Sequence, residues 1–395
     1  MKVIPFSPPD ISGEEIEAVV KVLKSGWITT GPVTKEFEQQ LSDFCGTSKT
    51  VCLNSATAAL ELSLRLLGIG PGDEVITSAF TYTASASVIH HVGAKIVLVD
   101  TKKDSFEMDY NKVAEAINEN TKAIIPVDIG GVMCDYDTIY QIIESKKHLF
   151  KANNELQKKY NRVIIVADAA HSLGATYKGK LNGQVADFTC FSFHAVKNLT
   201  TAEGGCVTWK DVLGIDNDEI YNELQLLSLH GQNKSALAKI KPGSWEYDII
   251  YPAYKNNLTD IASAIGLTQL SRYASLLARR HEIVKMYNEG FNDIDVQYLD
   301  HTFSNAHLYI LRINGIDVFK RNIIIEKMAE NGISCNVHYK PIPMMTAYKN
   351  LGFDIKDYPN AYDFYQNEIT LPLHTLLSDE DVKYIINTLK TILKA

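Results

Sequence analysis

Short apolar runs recur through the first half of this 395-residue chain, each separated from the next by a stretch long enough for a helix. The runs at 50–53, 74–77, 95–99, 123–127, 163–167 and 188–193 read as strands. A strand that returns through a crossover helix lies parallel to its predecessor, so the pattern predicts an α/β domain with a mostly parallel sheet. In such sheets ligands gather where strands end, which directs attention to Asp128, Asp168, His194 and Lys197, each just past a run.

The flanking segments differ. Ser12 with Glu15 is a capping box that opens a helix with Ile16, Val19, Val20 and Leu23 at helical spacing, stopped by Gly26. A second helix begins at Pro32 and carries Phe37, Leu41 and Phe44. The polar stretch 146–161 reads as a surface excursion. After Ile261 the pattern turns to long helices over 262–287, a mixed segment at 307–313 and a helix near 322–331. A last helix follows the Ser378 and Asp381 capping box, with Val382, Ile385, Ile386 and Leu389 on one face. The expected division is a large α/β domain over 1–260 and a smaller α+β domain over 261–395.

Composition narrows the function. Lys plus Arg number 39 against 47 Asp plus Glu, a net charge of −8 that gives no general attraction to nucleic acid or anionic membrane. The six cysteines are scattered, as reduced thiols would be. The opening residues lack a secretory core, and no run reaches the ~18 apolar residues of a membrane span, so the expectation is a cytoplasmic protein. Gly68-Ile-Gly-Pro-Gly precedes a strand instead of following one, which makes it a helix stop and not a dinucleotide loop. His90-His91 has no metal-ligand spacing, and no metal is expected.

Three features carry chemistry. Asn54-Ser-Ala-Thr is a turn of small residues at a helix start, which is either a bare N-cap or a cradle of amides for a phosphate. Asp168 ends a buried apolar strand and needs a donor or cation there, which an ion pair, a helix cap or a protonated pyridine ring would each supply. Lys197 lies between an apolar strand and the Gly204-Gly205 turn; desolvation at such a place would make it an amine nucleophile. A phosphate turn, an acid for a pyridine nitrogen and a nucleophilic lysine, in that order on an α/β sheet, are what pyridoxal phosphate (PLP) requires.

The ordered set Asn54-Ser-Ala-Thr-Ala-Ala-Leu, Gly70-Pro-Gly-Asp-Glu-Val, Thr81-Tyr-Thr-Ala, Asp168-Ala-Ala-His and Ser192-Phe-His-Ala-Val-Lys197 resembles the sugar nucleotide aminotransferases of the DegT/StrS group, fold-type-I PLP enzymes. Tyr254-Lys-Asn-Asn-Leu, Val337-His338-Tyr339-Lys-Pro and Leu371-Pro-Leu-His extend the likeness over nearly the whole chain. The resemblance implies that Lys197 links covalently to the cofactor, that Asp168 pairs with its ring nitrogen and that Tyr82 stacks on its face. It also implies phosphate contacts at Ala56, Thr57 and Ser192, with His171 beside the ring and His338 on the substrate. Lys255 and Asn257 would complete the phosphate site across a homodimer interface. Many members carry Asn and Arg at these last two positions; the Lys and Asn found here are associated with 4-amino sugar enzymes. The implied activity moves an amino group from glutamate to a nucleotide-linked keto sugar, a UDP-linked 4-keto-6-deoxyhexose, for polysaccharide biosynthesis. A dehydratase of the same family would replace the lysine by histidine or add a cysteine-bound iron–sulfur cluster. A sensor or scaffold would bind cofactor without reacting with glutamate.

Overall fold

The computed structural model describes residues 3–233 and 246–394. The central sheet uses β1 (Thr50–Leu53), β2 (Glu74–Ser78), β3 (Lys95–Val99), β4 (Thr121–Ile125) and β5 (Ile164–Asp168). A small hairpin of β6 (Thr176–Tyr177) and β7 (Lys180–Leu181) then leads to the last two strands, β8 (Phe188–Ser192) and β9 (Gly205–Trp209). Their order is β1-β9-β8-β5-β4-β2-β3. From β8 to β3 every pairing is parallel, while β9 runs antiparallel to both β1 and β8.

The strand at β9 is absent from the sequence reading, for a physical reason. Alternation reports strands joined through crossover helices, but β8 reaches β9 through a loop with no helix, so no period change marks it. That loop contains Lys197. Strands β1, β2, β4, β5 and β9 are buried along their whole length, as a sheet covered on both faces requires.

The helices follow their caps. In the helix Gly13–Ser25 the Ser12 N–H donates to Glu15 Oε2 at 2.7 Å, and Gly26 closes it at φ 75°. Its apolar stripe nevertheless faces outward: Ile16 is 59% and Leu23 52% exposed. The helix docks instead through buried Glu15, whose Oε1 accepts from Gln269 Nε2 at 2.9 Å and Arg272 Nε at 2.7 Å. The helix Pro32–Cys45 does bury Phe37 and Leu41. Its start is held by the Asp260 carboxylate, which accepts from the Gly31 and Thr34 amides at 2.7 and 2.9 Å. The excursion after residue 146 is partly packed, since Gln157 is fully buried with its Nε2 donating to the Leu67 carbonyl at 2.8 Å.

The pattern after 261 resolves into two helices, Asp260–Ser271 and Tyr273–Gly290, and an antiparallel sheet of β10 (Val296–Tyr298), β11 (Tyr309–Ile313) and β12 (Glu368–Leu371). Helices Val318–Glu330 and Asp379–Lys394 pack on this sheet; the second is capped by Ser378, whose Oγ accepts from the Asp381 N–H at 3.2 Å. Residues 4–10 belong here too. Ile4 pairs with Ile333, the Pro5 carbonyl accepts from His374 Nε2 at 3.1 Å, and Asp10 meets Arg272 at 3.1 Å.

Candidate active site

The ends of β1, β5 and β8 and the turn after β2 open onto one cavity of about 490 Å³. At β1, Ser55 caps the helix Ala56–Leu66 by accepting the Ala58 N–H at 3.0 Å. The Ala56 and Thr57 amides have no partner among the described residues and sit at the positive end of the helix, where an anion is favoured. Strand β9 lies against this turn because residue 205 is glycine: a Cβ there would stand 2.4 Å from the Ala56 nitrogen.

Asp168 is the last residue of β5 and is buried. Its Oδ2 accepts from Ser85 Oγ at 2.7 Å and its Oδ1 from the Ala170 N–H at 3.2 Å. Burial pushes this carboxyl above the usual range; the Ser85 and Ala170 hydrogen bonds and the Lys197 charge pull it part of the way back. Lys197 follows β8, its own N–H donating to the His194 carbonyl at 2.9 Å. Burial brings its amine down to about 8, against the opposing pull of Asp168. An amine so placed is unprotonated far more often than a surface lysine at neutral pH, and can act as nucleophile and base.

Three imidazoles surround this amine. Those of His171 and His307 are driven well below the ordinary range, and that of His338 to about 3, by burial and then by nearby positive charge that includes Lys197. His171 Nδ1 accepts from the Gly130 N–H at 3.2 Å, so its proton lies on Nε2, 3.0 Å from Tyr339 Oη. The His307 ring lies tilted at 46° against that of His171 with centroids 4.4 Å apart, its Nδ1 2.8 Å from Asn198 Oδ1. The ring of His338 lies against Phe6 at 5.5 Å.

Of the residues singled out from the sequence, Ala56, Thr57, Tyr82, Asp168, His171, Ser192, Lys197 and His338 all line this cavity. Lys255 and Asn257 do not: Lys255 Nζ meets Asn257 Oδ1, and Asn257 Nδ2 donates to Thr30 Oγ1 at 2.6 Å, beside the end of β1. Asp128 is structural, fully buried and accepting from Cys134, Tyr136 and Ser172 at 3.1, 3.0 and 2.8 Å. The sequence reading missed Phe6, Ser7, Thr81, His307 and Tyr339 as cavity walls. Tyr339 stood beside His338 in a motif already noted, but nothing marked Phe6 or His307, which are brought in from the small sheet's side.

The profile of the DegT/DnrJ/EryC1/StrS aminotransferase family matches residues 9–390. The chain belongs to this family. Among its relatives, the Bacillus subtilis spore coat polysaccharide biosynthesis protein SpsC is 36% identical over 399 residues, 99% of this chain and 97% of SpsC. Streptococcus pneumoniae Spr1654, solved in a PMP form, is 59% identical with a TM-score of 0.97 over 99% of each chain; its PLP form is 58% identical with a TM-score of 0.96 over 100% of this chain and 99% of that one. Helicobacter pylori PseC, an aminotransferase involved in the biosynthesis of pseudoaminic acid, is 30% identical with a TM-score of 0.85 over all of both chains. As a DegT/StrS-type enzyme the chain is a PLP-dependent sugar aminotransferase with the fold-type-I architecture.

The residues of this cavity fit that cofactor. A buried carboxyl suits a protonated ring nitrogen, a desolvated amine suits an aldehyde, and two unpartnered amides at a helix start suit a phosphate.

Proposed function

We propose that this aminotransferase takes its amino group from glutamate and delivers it to the ketone of a nucleotide-linked sugar, a UDP-linked 4-keto-6-deoxyhexose, in cytoplasmic polysaccharide biosynthesis. The observation that carries the chemistry is the sharing of one cavity by the Lys197 amine, the Asp168 carboxyl and the free amides of Ala56 and Thr57. The sugar acceptor is supported by the polysaccharide and pseudoaminic acid roles given in the names of SpsC and PseC. The choice of a 4-keto sugar rests on the Lys255 and Asn257 variant of the interface motif.

When bound, PLP supplies an aldehyde and an electron-withdrawing ring. In this reading the Ala56 and Thr57 amides and the Ser192 hydroxyl hold its phosphate, Tyr82 covers its ring, and Asp168 holds the proton of its ring nitrogen. Lys197 Nζ, freed by the arriving donor, takes the proton from the glutamate Cα and later returns one to the sugar carbon. Its depressed pKa keeps a useful fraction unprotonated at neutral pH. The neutral imidazoles of His171, His307 and His338 add no positive charge around the amine, which would otherwise depress its basicity further.

The active unit is a homodimer in which Lys255 and Asn257 reach the partner's cofactor phosphate. Two features support this: neither residue lines its own cavity, and the exposed apolar side chains of Ile16, Leu23, Ile249 and Ile250 offer surface for a second copy to cover.

The test is to mix PLP-loaded protein with glutamate and a panel of nucleotide keto sugars and to identify the aminated product by NMR. A UDP-4-amino-6-deoxyhexose is expected. Lys197→Ala should abolish turnover, and borohydride reduction of the loaded protein should label residue 197. A label elsewhere, or no reaction with glutamate, would overturn the assignment.

A further inference from the structure

A buried polar pair stands behind His338 and has no part in the reaction described above. Glu368 and Thr370 are two apart on β12, so their side chains share one face of the strand. Thr370 bridges to Asn336, with main-chain hydrogen bonds of 3.0 and 2.8 Å, and this anchors the segment that carries His338. Thr370 Oγ1 stands 2.9 Å from His338 Nδ1 and donates to Glu368 Oε2 at 3.5 Å. Both side chains are fully buried.

The Arg321 charge and the His338 main-chain N–H both favour the ionised form of this carboxyl. The Arg321 guanidinium gives its Nη1 to the main-chain carbonyls of Tyr365 and Glu368, at 3.0 and 3.1 Å. Glu368 Oε1 has no hydrogen-bond partner among the described residues, and burial pushes the carboxyl up to about 8. A buried polar group this poorly served is costly and is kept where it does something for a neighbour.

What it does follows from donors and acceptors. A hydroxyl has one proton. Where Glu368 is ionised, above about pH 8, it accepts the Thr370 proton, and Thr370 can then only accept from His338, which places the imidazole proton on Nδ1. His338 Nε2 is then bare. It has no partner among the described residues, and the ring lines the cavity. Phe6, stacked on the ring, holds its plane.

We infer that Glu368 and Thr370 are positioning residues for the sugar acceptor: they hold the His338 proton on Nδ1 and so present Nε2 to the cavity as an acceptor for a sugar hydroxyl. This rests on the reading that the cavity takes a keto sugar.

The tautomer can be read directly on the PLP-loaded protein, labelled with ¹⁵N-histidine, by long-range ¹H–¹⁵N NMR, with His338→Gln identifying the signal. Above about pH 8, where Glu368 is ionised, the wild type should show the Nδ1–H form. Thr370→Val and Glu368→Leu should shift it toward Nε2–H, and Glu368→Gln, whose amide oxygen can still accept, should preserve it. In kinetics, Thr370→Val and Glu368→Leu should raise KM for the keto sugar about tenfold, the worth of one hydrogen bond, and leave the glutamate half-reaction within about twofold. An Nε2–H signal in the wild type above about pH 8, an unshifted signal in Thr370→Val, or equal loss in both half-reactions would overturn the inference. If no keto sugar is turned over, the functional reading fails while the NMR result still judges the tautomer.

Discussion

The Ser85 hydroxyl donates to Asp168 Oδ2 at 2.7 Å from the first turn of the helix Thr83–His91, which begins directly after Tyr82. One hydrogen bond thus ties the element that follows Tyr82 to the acid at the end of β5. Thr81 Oγ1, 2.9 Å from Ser85 Oγ, holds the hydroxyl in place. Ser85→Ala leaves Asp168 with one main-chain donor, and its carboxyl should move further up. A hydrogen bond to an ionised group contributes about 1.5–3 kcal/mol. PLP should therefore bind the variant about tenfold more weakly in a cofactor titration, with an unchanged far-UV spectrum. Wild-type affinity would show that Ser85 does not serve the acid.

The Lys197 amine, brought down to about 8, gives a pH signature. In cofactor-free protein, labelling of residue 197 by trinitrobenzenesulfonate, followed by peptide mass spectrometry, should rise through a midpoint near pH 8, well below the ~10.4 of an ordinary lysine. Asp168→Asn should lower that midpoint further, because it removes the negative charge that favours the ammonium. The folded state binds this proton less tightly than the unfolded chain. Its cost to stability is therefore full below about pH 8, shrinks as pH rises and vanishes above the unfolded value. Lys197→Met should remove this rise from the pH–stability curve.

Gly205 lets β9 meet the turn at Ser55 and Ala56. A Cβ there would lie 2.4 Å from the Ala56 nitrogen and 2.7 Å from the Phe191 carbonyl oxygen, main-chain atoms that cannot swing aside. Gly205→Ala should cost about 1–3 kcal/mol of stability through overpacking. It should also weaken PLP binding by displacing the Ala56 and Thr57 amides. A variant as stable as the parent in thermal melts would refute the close approach.

Away from the cavity, Asp187 is fully buried and takes both arms of the Arg162 guanidinium, at 2.7 and 2.8 Å, with the Ile165 N–H at 2.9 Å. Asp187→Ala strands a largely buried cation and should destabilise the protein by about 3–5 kcal/mol. The folded fraction should keep its KM for glutamate. Chemical denaturation and steady-state kinetics on the same preparation separate these two effects.

The site was legible in the sequence wherever chemistry is local to a strand end. Asp168 and Lys197 announce themselves because an α/β alternation fixes where such residues emerge. The turn at Asn54 reads as a helix start because Ser55 caps it. The fold was legible to the same extent: six strands of the central sheet and both capping boxes follow from periodicity and cap chemistry. Strand β9 escaped because no crossover helix precedes it. The outward stripe of the first helix escaped because periodicity shows that an apolar face exists and not which way it points; the Glu15 contacts with Gln269 and Arg272 decide that.

By itself, then, the sequence determined the α/β class, the order of the chemical groups and the family, all of which live in residue types and short spacings. Tertiary structure alone decided that Phe6, His307 and Tyr339 wall the cavity, that three imidazoles beside Lys197 are neutral, and that Glu368 stands behind His338. These depend on contacts between residues tens to hundreds of positions apart, and on burial. A local pattern carries neither, because desolvation and long-range pairing arise only when the chain has closed on itself.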